Sequence, residues 1–166
     1  TEQVWGQNVD GEGEKDPYPI FSEVEVYPVS CCPGKFGGYS NTEGKQQAPK
    51  YNENGFCIYC GGFQPATGSG NESDPYKIGN AGQLYWFADR VNSGNTSARA
   101  ELTADIVVNE NVLKADGTLN EGTYRSWTPI GKNLSDYRGT FDGKGYTVSG
   151  LYFNYSNSRY AGLFGY

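Results

Sequence analysis

Apolar and polar residues alternate most regularly at the end of the chain, in residues 139–166. Tyr146 and Val148, followed by Leu151 and Phe153, recur with the period of two residues that is typical of a β-strand with one buried face. Glycines between these pairs mark positions where the backbone turns tightly. The pattern therefore predicts short strands joined by tight turns.

A further apolar run, residues 163–166, follows these strands and predicts another strand with an unpaired edge. We therefore expect a longer protein to continue the pattern beyond this chain. The same period-two spacing predicts which side chains line the interior of this region: Phe141, Val148, Leu151, Leu163 and Phe164.

Residues 80–94 carry the pattern of an amphipathic α-helix. Its apolar positions recur at the spacing of one helix face: Leu84, Phe87, Ala88 and Val91. Asn80 is a favourable N-cap, Gln83 completes a capping box, and Gly94 suits the C′ position. We expect the apolar face to cap the open end of the following strands; a helix lying on one sheet of an α+β domain is the alternative.

Residues 102–109 continue with the alternation of a strand, in which Leu102 and Ile106 share one face. Asp116 and Gly117 then mark the turn of a β-hairpin.

The segments F-D-G-K-G-Y-T-V-S-G-L and A-G-L-F-G-Y resemble the GLUG-type repeat of bacterial secreted and surface proteins. The resemblance extends upstream over I-G-N-A-G-Q-L-Y-W-F-A-D-R-V-N-S-G and W-T-P-I-G. It implies a mainly β fold, a right-handed parallel β-helix whose first rungs follow an N-terminal capping helix.

The composition agrees with turn-rich β structure, because the chain has 24 Gly, 14 Tyr and 8 Pro but no Met and no His. A net charge of −6 disfavours nucleic-acid binding, which needs clustered Lys and Arg. The longest apolar run is too short for membrane insertion. Without His, catalysis by a Ser–His or Cys–His pair within this chain is excluded.

The sequence suggests four segments. Residues 1–30 resemble the tail of a preceding β module, and residues 31–67 form a small module that contains all the cysteines. Residues 68–74, G-S-G-N-E-S-D, have the composition of a flexible linker. Residues 75–166 would form the capping helix and the first rungs of the β-helix, truncated at the C-terminus.

The cysteines are the most specific chemical signal. In C-I-Y-C-G-G, residues 57–62, a tight turn can place two thiolates on one metal ion. Cys31 and Cys32 supply a second pair, although adjacent cysteines reach one ion less easily than a second C-x-x-C. The sequence therefore predicts a Zn²⁺ site formed by Cys31, Cys32, Cys57 and Cys60.

Two other states of the cysteines remain open. An even number of cysteines in an extracellular protein also fits two disulfides, and free thiols are the third possibility. A redox C-x-x-C is disfavoured because no βαβ pattern surrounds it.

The segments C-P-G and N-G-F-C-I-Y-C-G-G-F-Q-P-A resemble the small cysteine module that precedes GLUG-type repeats in secreted proteins of gut bacteria. In that module a His commonly lies a few residues before N-G-F-C. This chain has Lys50 near that place, so Cys31 would have to take the role of the missing ligand.

Two further groups of residues could carry function. Asp105, Asp136 and Asp142 are candidates for acid–base chemistry, but we favour a structural role, because Asp side chains placed like Asp105 in a strand and Asp142 in a turn commonly bond to nearby backbone N–H groups. A set of aromatic side chains could stack on sugar rings, although several are ordinary strand residues. The members of this set are Tyr146, Tyr152, Tyr155, Tyr160 and Tyr166.

The leading hypothesis is a non-catalytic segment of a secreted or cell-surface bacterial repeat protein, acting as a stalk or an adhesin-like surface. Its partners would be a host or microbial glycan or protein and the rest of the same polypeptide. The alternative is an accessory or substrate-binding region of an extracellular peptidase or carbohydrate-active enzyme.

Overall fold

The computed structural model describes most of the chain: residues 4–9, 16–22, 25–32, 34–44, 46–131, 136–154 and 161–165. These residues fall into two compact units. Unit 1 consists of the described residues of Thr1–Asn52 and Phe56–Gly62, and unit 2 consists of those of Glu53–Gly55 and Phe63–Tyr166.

Unit 1 is built from two antiparallel strand pairs. β1 (Val4–Gly6) pairs with β2 (Ile20–Ser22), and β3 (Tyr27–Cys32) pairs with β4 (Lys35–Ser40). The β3–β4 ladder is irregular, with register shifts before and after Ser30. This irregularity shapes the cysteine site described below.

Unit 2 contains the predicted helix, α1 (Ala81–Asn92), which confirms that part of the sequence analysis. The side-chain oxygen of Asn80 accepts a hydrogen bond from the backbone N–H of Gln83 at 2.9 Å. The side-chain oxygen of Gln83 in turn accepts a hydrogen bond from the backbone N–H of Gly79 at 2.8 Å. In a standard capping box this second bond comes from the N–H of the N-cap residue itself. Here it comes from the residue before the N-cap.

The C-terminus of α1 ends on a Schellman motif. The N–H of Gly94 donates to the carbonyl of Val91 at 3.0 Å, and the N–H of Asn95 donates to that of Arg90 at 3.0 Å. Gly94 has φ of 113°, the left-handed region that favours glycine. The predicted apolar face is buried, as Leu84, Phe87 and Val91 each have 0% of their surface exposed.

Parallel pairing occurs in two small sheets of unit 2. β5 (Tyr76–Ile78), β6 (Ala100–Leu102) and β8 (Phe141–Asp142) form one sheet in that order. β7 (Ile106–Val107) and β9 (Val148–Ser149) form the other. The predicted hairpin is confirmed by an antiparallel bridge from Leu113 to Leu119.

The predicted right-handed parallel β-helix is wrong. Within the described ranges the strands are short and lie in small antiparallel and parallel sheets, one helix accompanies them, and no closed or solenoid sheet forms. The fold is mixed. The physical reason is that period-two alternation specifies which face of a strand is buried but not which strands pair. Thr103 and Asp105 interrupt the predicted strand, so β6 ends at Leu102 and β7 begins at Ile106.

The core of unit 2 also lies upstream of the residues expected to line it. Phe141, Val148, Leu151 and Leu163 are half-buried, and Phe164 is 40% exposed. The helix, the first parallel strands and the segment that contains Trp127 and Ile130 supply the buried side chains instead. The largest of those that are almost fully buried are Ile78, Leu84, Phe87, Val91, Ile106, Trp127 and Ile130.

The G-S-G-N-E-S-D segment forms a hydrogen-bonded loop of unit 2. The carbonyl of Asp74 accepts bonds from the N–H groups of Ser69, at 3.1 Å, and Gly70, at 2.9 Å. The carbonyl of Gly70 accepts a bond from the N–H of Arg99 at 2.8 Å. These bonds tie the segment to the residue just before β6.

Candidate metal centre

The predicted cysteines come together in unit 1. The Sγ atoms of Cys31, Cys32, Cys57 and Cys60 all lie within 4.8 Å of one another. The first three side chains are buried and Cys60 is half-buried. The structure therefore forms a cluster, hereafter the four-sulfur cluster, that is able to bind a metal ion.

The distance between two of the sulfurs is close to that expected around a tetrahedral ion. Thiolates bound about 2.3 Å from such an ion lie about 3.8 Å apart. The Sγ atoms of Cys31 and Cys57 are 3.6 Å apart, close to that value. A disulfide would need about 2.05 Å, and all four cysteines are free thiols here.

The C-x-x-C segment forms the expected tight turn. The N–H of Cys57 donates to the carbonyl of Gly62 at 2.7 Å, and the N–H of Gly61 donates back to the carbonyl of Cys57 at 2.8 Å. Gly61 has φ of 67°, which a residue with a side chain adopts only with strain. The N–H of Gly62 points to the Sγ of Cys60 at 3.4 Å. The turn thus presents both sulfurs on one side.

Cys57 is the cysteine best prepared to bind a cation. Burial by itself raises the pKa of its thiol, but hydrogen bonds from the backbone N–H groups of Tyr59, Cys60 and Lys50 outweigh burial and lower the pKa to about 6. At neutral pH Cys57 is therefore a thiolate, the form in which cysteine binds metals.

A β-bulge allows the adjacent cysteines to reach the same cluster. Successive side chains of a regular strand point to opposite faces. In β3 the register shifts between Ser30 and Cys32, so that Ser30 pairs with Phe36 and Cys32 with Lys35. Cys31 lies in the shifted step, and both cysteine side chains are buried. The bulge therefore lets two adjacent cysteines, which a regular strand would point to opposite faces, contribute to the same cluster.

Two glycines leave room for the sulfurs. A Cβ atom at Gly62 would lie 3.1 Å from the Sγ of Cys32 and 3.2 Å from that of Cys60. A Cβ atom at Gly37 would lie 3.0 Å from the Sγ of Cys31. Because such contacts are tighter than normal van der Waals packing, any side chain at either position would displace a sulfur.

Cys31 and Cys32 are protonated at neutral pH. Hydrogen bonding to Cys60, followed by burial, raises the pKa of Cys31. Burial, followed by hydrogen bonding to Cys60, raises the pKa of Cys32 to about 11. A metal ion must therefore displace the protons of both thiols.

Lys50 contacts the C-x-x-C turn through its backbone, and its side chain is exposed. Its carbonyl accepts a hydrogen bond from the N–H of Ile58 at 2.9 Å, and its own N–H points to Cys57. Cys31 supplies the fourth sulfur of the cluster.

Comparison with known proteins gives one informative match. The chain is 30% identical over 100 residues to a "Putative Gly-rich membrane protein" of Evansella cellulosilytica. The match covers 60% of this chain but only 10% of that protein, so the chain spans about a tenth of the length of this relative. No protein-family model matches the chain, and no solved structure matches it. Within the described residues, no helix has the length and apolar character needed to cross a membrane.

The acidic candidates take part in local hydrogen bonds and ion pairs. Asp105 accepts bonds from the backbone N–H and the hydroxyl of Thr147, at 2.7 and 2.9 Å, and these bonds lower its pKa. Asp142 accepts a bond from the backbone N–H of Lys144 at 2.9 Å. Asp136 forms an ion pair with an arginine two residues further on, at 3.6 Å. The backbone N–H bonds of Asp105 and Asp142 agree with the structural interpretation of these two carboxylates, whereas the contact of Asp136 is an ion pair between exposed side chains.

The tyrosine set is only partly described. Tyr146 is 44% exposed, and Tyr152 packs against Tyr124 with 5.4 Å between ring centroids. Tyr155, Tyr160 and Tyr166 lie outside the described residues. A sugar-binding role for this set stays a prediction.

Sequence analysis missed two residues that shape the cluster. Tyr51 packs against the cysteines, and Gly37 faces Cys31 across the β3–β4 ladder. A glycine inside a strand is a signal of close backbone approach, but the sequence pattern predicted no strand around Gly37. The position of Tyr51 depends on a contact between segments that has no comparable sequence signal.

Proposed function

We propose that Cys31, Cys32, Cys57 and Cys60 bind one Zn²⁺ ion that holds unit 1 together. The observation that supports this assignment most strongly is the convergence of four sulfurs within 4.8 Å, with backbone N–H groups directed at Cys57. Zn²⁺ favours four thiolates in a closed tetrahedral site, and such sites serve structure and not catalysis.

The described part of unit 1 has a small core, which a metal cross-link would reinforce. Among its described side chains, the buried apolar ones are Val29, Cys31, Cys32 and Cys57. So few apolar side chains stabilise a fold of this size only weakly. Metal binding adds its own free energy to that of folding, which compensates for the small core.

The chain is, in this proposal, a non-catalytic segment of a larger secreted or cell-surface protein, serving as a stalk or as a surface for a host or microbial glycan or protein. The support is threefold. The chain has no His, the described candidate carboxylates have local partners, and the matched relative is far longer and carries the word "membrane" in its name.

Elemental analysis tests the metal assignment. The 166-residue chain, purified without added metal, should contain one zinc ion, and denaturation with a chelator should release four titratable thiols. A Cys57→Ser, Cys60→Ser double variant serves as the control and should lack zinc. Wild-type protein with neither zinc nor free thiols would establish two disulfides instead.

Cell fractionation tests the location. Protease treatment of intact cells of the source organism should remove the epitope of an antibody raised against this chain, or the epitope should be found in the medium. An epitope that stays protected in intact cells and is released only by lysis would contradict a secreted or surface location.

A further inference from the structure

Tyr51 is held beside the four-sulfur cluster by the backbone on both sides of it. Tyr51 and Cys57 form an antiparallel bridge. The N–H of Ile58 donates to the carbonyl of Lys50 at 2.9 Å, and the N–H of Asn52 donates to that of Phe56 at 3.0 Å. The segment around Tyr51 therefore runs antiparallel to the start of the C-x-x-C turn, and its position is fixed by that turn.

The side chain of Tyr51 is half-buried and packs against Cys31, Cys32 and Cys57. The hydroxyl of Tyr51 forms a hydrogen bond with the sulfur of Cys32. A tyrosine hydroxyl can donate such a bond to sulfur.

Hydrogen-bond donors reach the sulfurs from different sources. Cys57 and Cys60 receive bonds from backbone N–H groups of their own turn. Cys32 lies on β3, outside that turn, and the Tyr51 hydroxyl is a side-chain donor within its reach. Four thiolates around a divalent cation carry two excess negative charges, and such donors spread this charge and orient the ligands.

We infer that Tyr51 is a positioning residue of the metal site, whose hydroxyl donates a hydrogen bond to the Cys32 thiolate when the ion is bound. The inference rests on the proposed zinc site. Tyr51 itself is not a ligand in this inference, because the four cysteine sulfurs already fill a tetrahedral site. Groups that hydrogen-bond to metal ligands typically change metal affinity 10–100-fold, so the effect should be measurable.

Tyr51→Phe removes the hydroxyl and keeps the ring. Tyr39→Phe is the matched control, because Tyr39 lies on β4 of the same unit and its side chain is 57% exposed. Competition with a chromophoric chelator should show about 10–100-fold weaker zinc binding by Tyr51→Phe. Tyr39→Phe should bind like the wild type, and equal affinities of Tyr51→Phe and the wild type would overturn the inference.

Co²⁺ provides a readout that a purely structural role would not change. A thiolate that loses a hydrogen bond donates electrons more readily. The thiolate-to-Co²⁺ charge-transfer band of Tyr51→Phe should therefore move to longer wavelength, and that of Tyr39→Phe should not. A band at the wild-type position would count against the hydroxyl–sulfur contact even if affinity fell.

A double-mutant cycle identifies the sulfur through which Tyr51 acts. In a Cys32→Ser background the thiolate is absent, so adding Tyr51→Phe should cause no comparable further loss of zinc affinity. An equal loss in both backgrounds would mean that the hydroxyl supports the fold and not the Cys32 thiolate. If the wild-type chain binds no zinc at all, the proposed zinc site itself is rejected. If the wild-type and Tyr51→Phe chains bind zinc equally well, only the role of Tyr51 is rejected.

Discussion

Gly37 on β4 lies so close to Cys31 on β3 that a Cβ atom at Gly37 would be 3.0 Å from both the Cβ and the Sγ atoms of Cys31. Its φ lies outside the left-handed region, so the need for glycine here is steric and does not come from backbone conformation. The missing side chain provides the space that the bulged Cys31 requires.

Gly37→Ala should therefore weaken zinc binding and lower the free energy of unfolding of unit 1 by about 1–3 kcal/mol, as for an overpacked core. Gly143→Ala is the control, since a Cβ atom there would lie 3.8 Å from its nearest neighbour, the carbonyl oxygen of Tyr146. Zinc competition and denaturant titration measure both effects. Unchanged zinc affinity in Gly37→Ala would show that Cys31 has room to shift and still bind.

Zinc affinity should rise with pH, because the metal replaces thiol protons. Cys31 and Cys32 both have raised pKa values, that of Cys32 about 11, and are protonated at neutral pH. The logarithm of the binding constant should thus increase by at least about two per pH unit near neutrality. Below about pH 6 the Cys57 proton also competes, so the dependence should steepen. Chelator competition across this range, corrected for protonation of the chelator, gives the slope; a slope below two would contradict the predicted ligand protonation.

The helix and half of the metal site could be predicted because their determinants are local. Asn80, Gln83 and Gly94 lie within one helix and its caps, and the C-x-x-C turn contains its own hydrogen bonds and its own glycines. In such segments neighbouring residues decide the backbone conformation, so spacing along the sequence is sufficient.

The remaining features depend on pairing between distant segments. The placement of Cys31 beside Cys32 depends on a register shift against β4, and Tyr51 reaches the cluster through its bridge to Cys57. The predicted β-helix failed for the same reason, since alternation at Val148 specifies a buried face but not the number of strands that join its sheet.

The contribution of buried side chains to the stability of unit 2 can be tested by replacing a buried leucine, Leu84, and an exposed one, Leu113, with alanine. Leu84 has 0% of its surface exposed and Leu113 has 62%. Leu84→Ala should lower the free energy of unfolding by about 2–5 kcal/mol, because it leaves a cavity. Leu113→Ala should change it by at most about 0.5 kcal/mol. Equal effects in denaturant titrations would mean that α1 does not contribute to the core as described.

The N-cap of α1 gives a second test in unit 2. Asn80→Ala removes the acceptor for the N–H of Gln83 and should lower the free energy of unfolding by about 0.5–2 kcal/mol. Asn80→Asp retains an acceptor at the same position and should recover most of the loss. Because Asn80 also donates to the side chain of Gln64 at 2.9 Å, a loss in Asn80→Asp as large as in Asn80→Ala would indicate that this second bond, and not the cap, matters most.

Removal of the metal should affect the two units differently. The described part of unit 1 has few buried apolar side chains, whereas unit 2 buries Ile78, Phe87 and Trp127 almost completely. A strong chelator should therefore abolish protection of backbone amides in β3 and β4 while amides of α1 stay protected. Hydrogen exchange followed by mass spectrometry resolves these segments in the same sample. Adding Zn²⁺ back should restore protection in β3 and β4. Protection there that survives the chelator but is lost after reduction would instead show that disulfides hold the unit, since reductant breaks disulfides and leaves a metal–thiolate site intact.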